Sequence, residues 1–297
     1  MPSDVESRRP GDRRGPSAAA AGIVLAGGRS TRMGRPKAAL EWHGSTLLRR
    51  VAGIVTRAVD GPVVVVRAPG QDLPELPASV ELADDAHEGR GPLEGLKAGL
   101  AAVAGRAEAA YVSSTDVPLL HPAFVRTVLH ALAREDVEVA LPVAHGFRHP
   151  LAAAYRTSLL GTVGKLVAED RMRPAFLFER ARVRELDEAA LLLDPELRRE
   201  DPELLSLLNV NDPDEYDRAR SRAAPAVTVS RFGTLAGPSR EPVPVRAATL
   251  GAAASGAGVT LDRHVVAALN GDQITRDPEL PLASGDKVAF LAADAGG

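Results

Sequence analysis

Four β-branched residues in a row, Val63 to Val66, fit few places in a folded chain. A run with no polar alternation suits a strand buried on both faces, as in a parallel sheet covered by helices. Just upstream, Leu47, Leu48, Val51, Ile54, Val55 and Val59 recur near helical spacing within Ser45 to Val59, and Gly61-Pro62 closes the pattern. A second apolar strand begins at Ala21. Strand, helix and strand in succession predict a doubly wound, mostly parallel α/β sheet of Rossmann-like type, in which ligands sit beyond the carboxyl ends of the strands.

The strand from Ala21 runs straight into Gly27 and Gly28, at such a carboxyl end. Two residues without Cβ atoms let the backbone approach a ligand and offer N–H groups to phosphate oxygens. Arg29, Arg32, Arg35 and Lys37 add positive charge within the same loop. Five residues separate Gly28 from Gly34, and Arg35 follows, so this is not a Walker A loop; nor is a G-x-G-x-x-G present.

The net charge of −3 lacks the basic footprint of a nucleic-acid binder, so phosphate contacts must be local. Without cysteine there is no disulfide framework, thiolate nucleophile or Cys-based zinc site, and any metal is expected to be held by oxygen. No apolar run approaches the roughly 18 to 20 residues that cross a bilayer, so a soluble, cytoplasmic protein with no membrane partner is expected. Residues 1–17, rich in Arg, Pro, Gly, Ser and Ala, read as a disordered tail. The Arg8-Arg9 pair does not make an export signal, since the apolar segment after it is the strand of the glycine loop.

Further along, Val80 to Ala83 is a short strand leading into Asp84-Asp85, and GPLEGLKAGL from Gly91 opens a helix whose Gly-Pro entry leaves N–H groups free. Ala109 to Thr115 is a strand that delivers Asp116 to its carboxyl end. A carboxylate there suits magnesium, which takes one or two carboxylates and substrate phosphates; it would equally suit the cap of the helix that starts near Pro122. Val137 to Val143 and His149 to Tyr155 read as strands around a turn at Gly146, and Arg182 to Leu186 as an edge strand. Asp212-Pro213 starts a helix.

After a small, basic, proline-containing stretch near Ala219 to Ala224 the texture changes. AVTVSRF and EPVPVRA read as strands, Asn270-Gly271 is a strong hairpin signal, and KVAFLAA is a last strand before Gly296-Gly297. Three segments are expected: a tail at 1–17, an α/β domain at 18–222 and a small β-rich domain at 226–297.

The loop LAGGRSTRMGRPK resembles the signature loop of the nucleotidyltransferase family that contains the MobA-like molybdenum cofactor guanylyltransferases. GPLEG, the D-x-P-x-L segment at Asp116, the His-Pro pair at His149 and Asn209-Val210-Asn211-Asp212-Pro213 are similar to further segments of that family. The resemblance implies GMP transfer from GTP to molybdopterin, with release of pyrophosphate. It implies nucleotide contacts at Leu25, Ala26, Gly27, Gly28, Lys37, Gly91, Pro92 and Asp85, or Asp84 if the register is one residue off. Lys37, Arg32 and Asp116 would carry the chemistry, Asp116 would hold Mg²⁺, and Asn211 and His149 would lie near the acceptor. Arg67 departs from the family, which places an Asn after the second strand. The C-terminal stretch NGDQITRDPELPLASGDKVAFLAADAGG resembles the β-grasp (ubiquitin-like) sulfur carriers MoaD and ThiS. That implies a thiocarboxylate at the Gly296-Gly297 terminus, and as partners a molybdopterin synthase large subunit and an adenylating enzyme. Two alternatives remain open: a cytidylyltransferase or other nucleotidyltransferase with a different phosphorylated acceptor, and a non-catalytic scaffold joined to a sulfur carrier.

Overall fold

The computed structural model describes residues 19–27, 36–86, 89–236 and 241–292. The tail at 1–17, the arginines of the glycine loop, and Gly28, Gly296 and Gly297 lie outside the described residues.

The larger sheet is built from β1 (Ala20–Leu25), β4 (Val63–Arg67), β5 (Val80–Asp84), β6 (Ala109–Ser114), β7 (Val139–Ala144), β9 (Ala152–Arg156) and β10 (Val183–Leu186), in the order β10-β7-β9-β6-β1-β4-β5, with β8 (Phe147–Arg148) paired to β7. β1 is parallel to both β4 and β6, while β9 is antiparallel to its neighbours β6 and β7. The turn through His145 and Gly146, both with positive φ, sends the chain back from β7 and so produces that exception. The sheet is therefore mostly parallel, as expected. Val63 to Val66 are each at most 2% exposed, which is the burial on both faces that their β-branched run requires.

Helices cover both faces. α1 (Leu47–Thr56) and α3 (Pro122–Arg134) pack one side through Leu48, Val51, Ile54, Phe124 and Val128, whereas α2 (Pro92–Val103) and α4 (Leu160–Ala168) pack the other through Leu93, Leu96, Leu100 and Val163. The helix expected from Ser45 is shorter. Its first two residues form β3 (Ser45–Thr46), which pairs with β2 (Glu41–Trp42), and Thr46 caps α1 by accepting from the Arg49 amide. Similarly, His149 lies between β8 and β9 instead of inside a strand. Short helices α5 (Pro174–Phe178), α6 (Glu188–Leu191) and α7 (Pro195–Glu200) flank β10, and α8 (Pro213–Arg220) closes this part of the chain.

A second sheet of β11 (Ala226–Phe232), β12 (Val243–Arg246), β13 (Val265–Leu269), β14 (Gln273–Thr275) and β15 (Lys287–Ala292) has the order β12-β11-β15-β13-β14. Its β11–β15 pair is parallel and the others are antiparallel. Asn270 and Gly271 both take positive φ in the β13–β14 turn, the conformation that makes Asn-Gly a hairpin signal. α9 (Leu250–Gly256), capped by Thr249, buries Leu250, Ala253 and Ala254 against Val227, Val229, Leu269 and Phe290. This second sheet rests against the outer side of α1, where Gly53 faces Pro281 and Arg57 pairs with Asp286 at 2.5 Å.

Candidate active site

The parallel strands β1, β4 and β6 end at one edge, and a cavity of about 710 Å³ opens there. Leu25, Ala26 and Gly27 line it from the end of β1, Arg67 from β4, and Ser114 to Asp116 from β6. The amino end of α2 points at it through Gly91 and Pro92. Gly91 has φ +127°, which a side chain would oppose, and Pro92 at the first helical position needs no N–H partner. The arrangement leaves the positive end of the α2 dipole toward the cavity.

Asp116 is the hub of the polar groups. Its Oδ2 accepts from Lys37 Nζ at 3.0 Å, and its Oδ1 accepts from Ser114 Oγ at 2.5 Å and Asn209 Nδ2 at 3.1 Å. Lys37 also donates to Asn211 Oδ1 at 3.3 Å. The Asp116 carbonyl accepts from the Val210 amide at 2.8 Å, which draws the 209–211 segment alongside the end of β6. Asp116 caps no helix: α3 is capped by His121, whose Nδ1 accepts from the Ala123 amide. Asp212 does take the capping role expected of it, accepting from the Glu215 amide.

The two candidate aspartates separate cleanly. Asp85 lines the cavity, and its carboxylate lies 3.9 Å from where a Cβ on Gly95 would stand. Asp84 pairs instead with Arg67 at 2.8 Å. Arg67, the departure from the family pattern, thus has a local partner on the neighbouring strand and also donates to the Gln71 carbonyl. Gln71 in turn donates to the Ala26 carbonyl and accepts from the Ala68 amide, tying the loop after β4 to the end of β1.

His149 is not a lining residue of this cavity; its Nε2 meets the Ala144 carbonyl at 3.1 Å, and Leu151 lines the wall instead. Burial, with a smaller contribution from the charge of His145, holds its pKa below the ordinary histidine value. Of the residues picked from sequence, Leu25, Ala26, Gly27, Lys37, Asp85, Gly91, Pro92 and Asp116 come together around one cavity, with Asn211 reached through Lys37. Arg32, Gly28, Gly296 and Gly297 lie outside the described residues. Asn209, part of the segment similar to the family, donates to Asp116, whereas Ser114 and Gln71 were missed. Ser114 ends the apolar run of β6 two residues before Asp116, a usable signal; Gln71 sits in a loop with no such signal.

Gly27 at a strand end, a helix amino end and a lysine-paired carboxylate gather at the carboxyl edge of a mostly parallel sheet, the edge at which α/β folds of this class take ligands. Residues 22–185 match the MobA-like NTP transferase domain. The chain is 44% identical over 151 residues to a probable molybdenum cofactor guanylyltransferase of Mycobacterium avium, covering 50% of this chain and 75% of that protein. It is 40% identical over 162 residues to the protein of the same description in Mycobacterium tuberculosis, covering 54% and 79%. In fold it is similar to molybdopterin-guanine dinucleotide biosynthesis protein A from Archaeoglobus fulgidus, with a TM-score of 0.54 at 22% identity over 67% of this chain and 96% of that one. The chain belongs to the MobA-like NTP transferase family of nucleotidyltransferases.

Proposed function

We propose that the chain transfers GMP from GTP to the terminal phosphate of molybdopterin, releasing pyrophosphate. The observation that carries this reading is the Lys37–Asp116 pair at the edge of the β1/β6 sheet, 3.0 Å apart, in a chain whose mycobacterial relatives are described as probable molybdenum cofactor guanylyltransferases.

A magnesium ion fits Asp116. The site offers one carboxylate with amide and hydroxyl groups beside it, and magnesium commonly takes one or two carboxylates with water and substrate phosphates as its other ligands. Among the described residues no group of three or more His, Cys, Asp or Glu could hold a metal ion. When bound there, the ion supplies charge neutralisation on the nucleotide phosphates. Backbone groups of Leu25, Ala26, Gly27 and Gly28, with Gly91, Pro92 and Asp85, hold the nucleotide; Lys37 and Arg32 neutralise charge that develops on the α-phosphoryl group and the departing pyrophosphate. An acceptor phosphate oxygen forms a bond to the α-phosphorus as the bond to the β-phosphate bridging oxygen breaks, and the electron pair leaves with pyrophosphate. A phosphate monoester with a second pKa of about 6 is largely dianionic at neutral pH, so no protein base is required. Asn211 and His149 serve the acceptor side.

Residues 18–222 carry this activity in the proposal, and 226–297 form a β-grasp sulfur carrier. The five-stranded sheet with a parallel β11–β15 pair and α9 across one face supports the second part. The carrier's partners are a molybdopterin synthase large subunit and an adenylating enzyme in the cytoplasm, and among the described residues no helix is long and apolar enough to cross a membrane.

Magnesium-dependent pyrophosphate release with molybdopterin, GTP and CTP in parallel, tests the first part. Release with GTP that is lost in Asp116→Ala supports it, whereas release with CTP alone replaces it by a cytidylyltransferase and release with neither favours a scaffold. Deleting Gly296 and Gly297 abolishes thiocarboxylate formation if the carrier reading holds; sulfur loading that survives the deletion refutes it.

A further inference from the structure

Arg50 is 4% exposed, and all three acceptors it meets among the described residues are backbone carbonyls. Its Nε donates to Pro118, two residues after Asp116, and its Nη1 donates to Ala248 and Leu282 at 3.3 Å each. One guanidinium thus joins the turn that follows the site carboxylate to the loops of the second sheet. A second contact joins the same two regions: His121 Nε2 meets the Ser284 carbonyl at 3.0 Å. The strand pair that follows Lys37 and the start of α1 are held from the same side, since Ser45 donates to Glu279 at 3.1 Å and Arg49 donates to both oxygens of Asp277 at 2.9 Å.

A buried guanidinium must satisfy its donors or give up its place, because an unpaired buried charge is far costlier than a lost neutral hydrogen bond. Two of the three acceptors of Arg50 belong to the second sheet. With that sheet displaced, Arg50 has to turn toward water, and the Pro118 carbonyl loses the donor that fixes it. The turn from Asp116 to His121 would then keep the Val117–Leu120 backbone bond, the Val210 contact and the bond from the His121 amide to Ser206, but nothing across its outer side from Ala248, Leu282 or Ser284.

We propose that the second sheet is a structural part of the transfer site, and that Arg50 is a positioning residue holding the Asp116–His121 turn through Pro118. The role of Asp116 in this inference rests on the proposed nucleotidyl transfer; the mechanical link does not.

Two variants of the full chain test it. Arg50→Met removes the donors. Gly53→Leu leaves Arg50 in place and favours the helix, but it drives the two regions apart, because a Cβ at Gly53 would stand 2.6 Å from Pro281 Cγ. Amide hydrogen exchange is measured at Leu120 and His121, whose amides donate to the Val117 carbonyl and the Ser206 hydroxyl, without nucleotide or metal, and then the magnesium dependence of pyrophosphate release. The expected result is exchange at these amides faster by about tenfold or more in both variants, unchanged exchange in β4, and a higher magnesium concentration for half-maximal release with wild-type behaviour toward GTP. If Arg50→Met does not fold, Gly53→Leu decides alone. Wild-type exchange at Leu120 and His121 in a folded Gly53→Leu chain overturns the proposal. Absence of pyrophosphate release in the wild type would instead overturn the transfer reading, and the exchange data would still decide whether the second sheet holds the turn.

Discussion

Replacing Lys37 by methionine separates chemistry from stability. The change removes an ammonium 3.0 Å from Asp116 Oδ2 and 3.3 Å from Asn211 Oδ1 while keeping most of the stem. On the stability side the loss is small. The two side chains of the ion pair retain 19% and 16% exposure, and Asp116 keeps the Ser114 hydroxyl and the Asn209 amide as donors. A pair of this kind is worth about 1 kcal/mol or less, or about 2–4 °C in Tm for a chain of this size. On the kinetic side, loss of one preorganised donor aimed at charge developing in the transition state costs about 10²–10³ in kcat, near 3–4 kcal/mol. The kinetic loss should dominate. The assay is pyrophosphate release at saturating GTP and magnesium beside a thermal melt of the same protein. A kcat within about tenfold of wild type, or a melting loss well beyond the few degrees expected, would refute the assignment of Lys37 to charge stabilisation.

Three further outcomes follow from the geometry. Asp85→Ala should raise KM for the nucleotide with kcat little changed, whereas Asp84→Ala removes one partner of Arg67, which keeps the Gln71 carbonyl, and should leave KM near wild type; equal effects would contradict the separation of the two aspartates. Gly22→Ala places a Cβ 2.3 Å from Val55 Cγ1 in a packed layer, so a loss of about 1–3 kcal/mol in urea unfolding is expected from overpacking, and an unchanged midpoint would show that α1 can shift freely. Burial lowers the pKa of His43 and of His149 below the ordinary 6.5, with Arg220 and His145 respectively adding to the effect. The unfolded chain then binds protons first as pH falls below 6.5, so the stability that both neutral rings contribute is complete above that value and declines below it. Thermal melts between about pH 7.5 and 5.5 should show this loss, and the double variant His43→Gln, His149→Gln should flatten it; an unchanged slope argues against it.

The main frame of the fold was legible because its signals are dense. Val63 to Val66 allow little but a doubly covered strand, and the apolar spacing of Leu48, Val51 and Val55 fixes the face α1 buries. Asn270-Gly271 announced its hairpin because few other residues accept two successive positive φ angles. Site residues at strand ends, Gly27 and Asp116, were legible for a related reason: a polar or small residue ending an apolar run marks the edge where ligands bind. What stayed hidden depends on pairings that no local pattern encodes. Ser45 and Thr46 went to a two-residue strand because Glu41 and Trp42 pair with them. The fate of Asp84 was decided by Arg67, seventeen positions earlier and on an adjacent strand. The contacts of Arg50 with Ala248 and Leu282 span 198 and 232 positions and leave no trace in spacing.

Nucleotidyl transfer to a phosphorylated acceptor at Asp116 is tested most directly by following GTP labelled at the α-phosphate, incubated with magnesium and molybdopterin. The label should appear joined to the acceptor while unlabelled pyrophosphate is released, and both should vanish in Asp116→Ala. Label that stays in GTP or appears as free GMP, or transfer that survives in Asp116→Ala, would contradict the account.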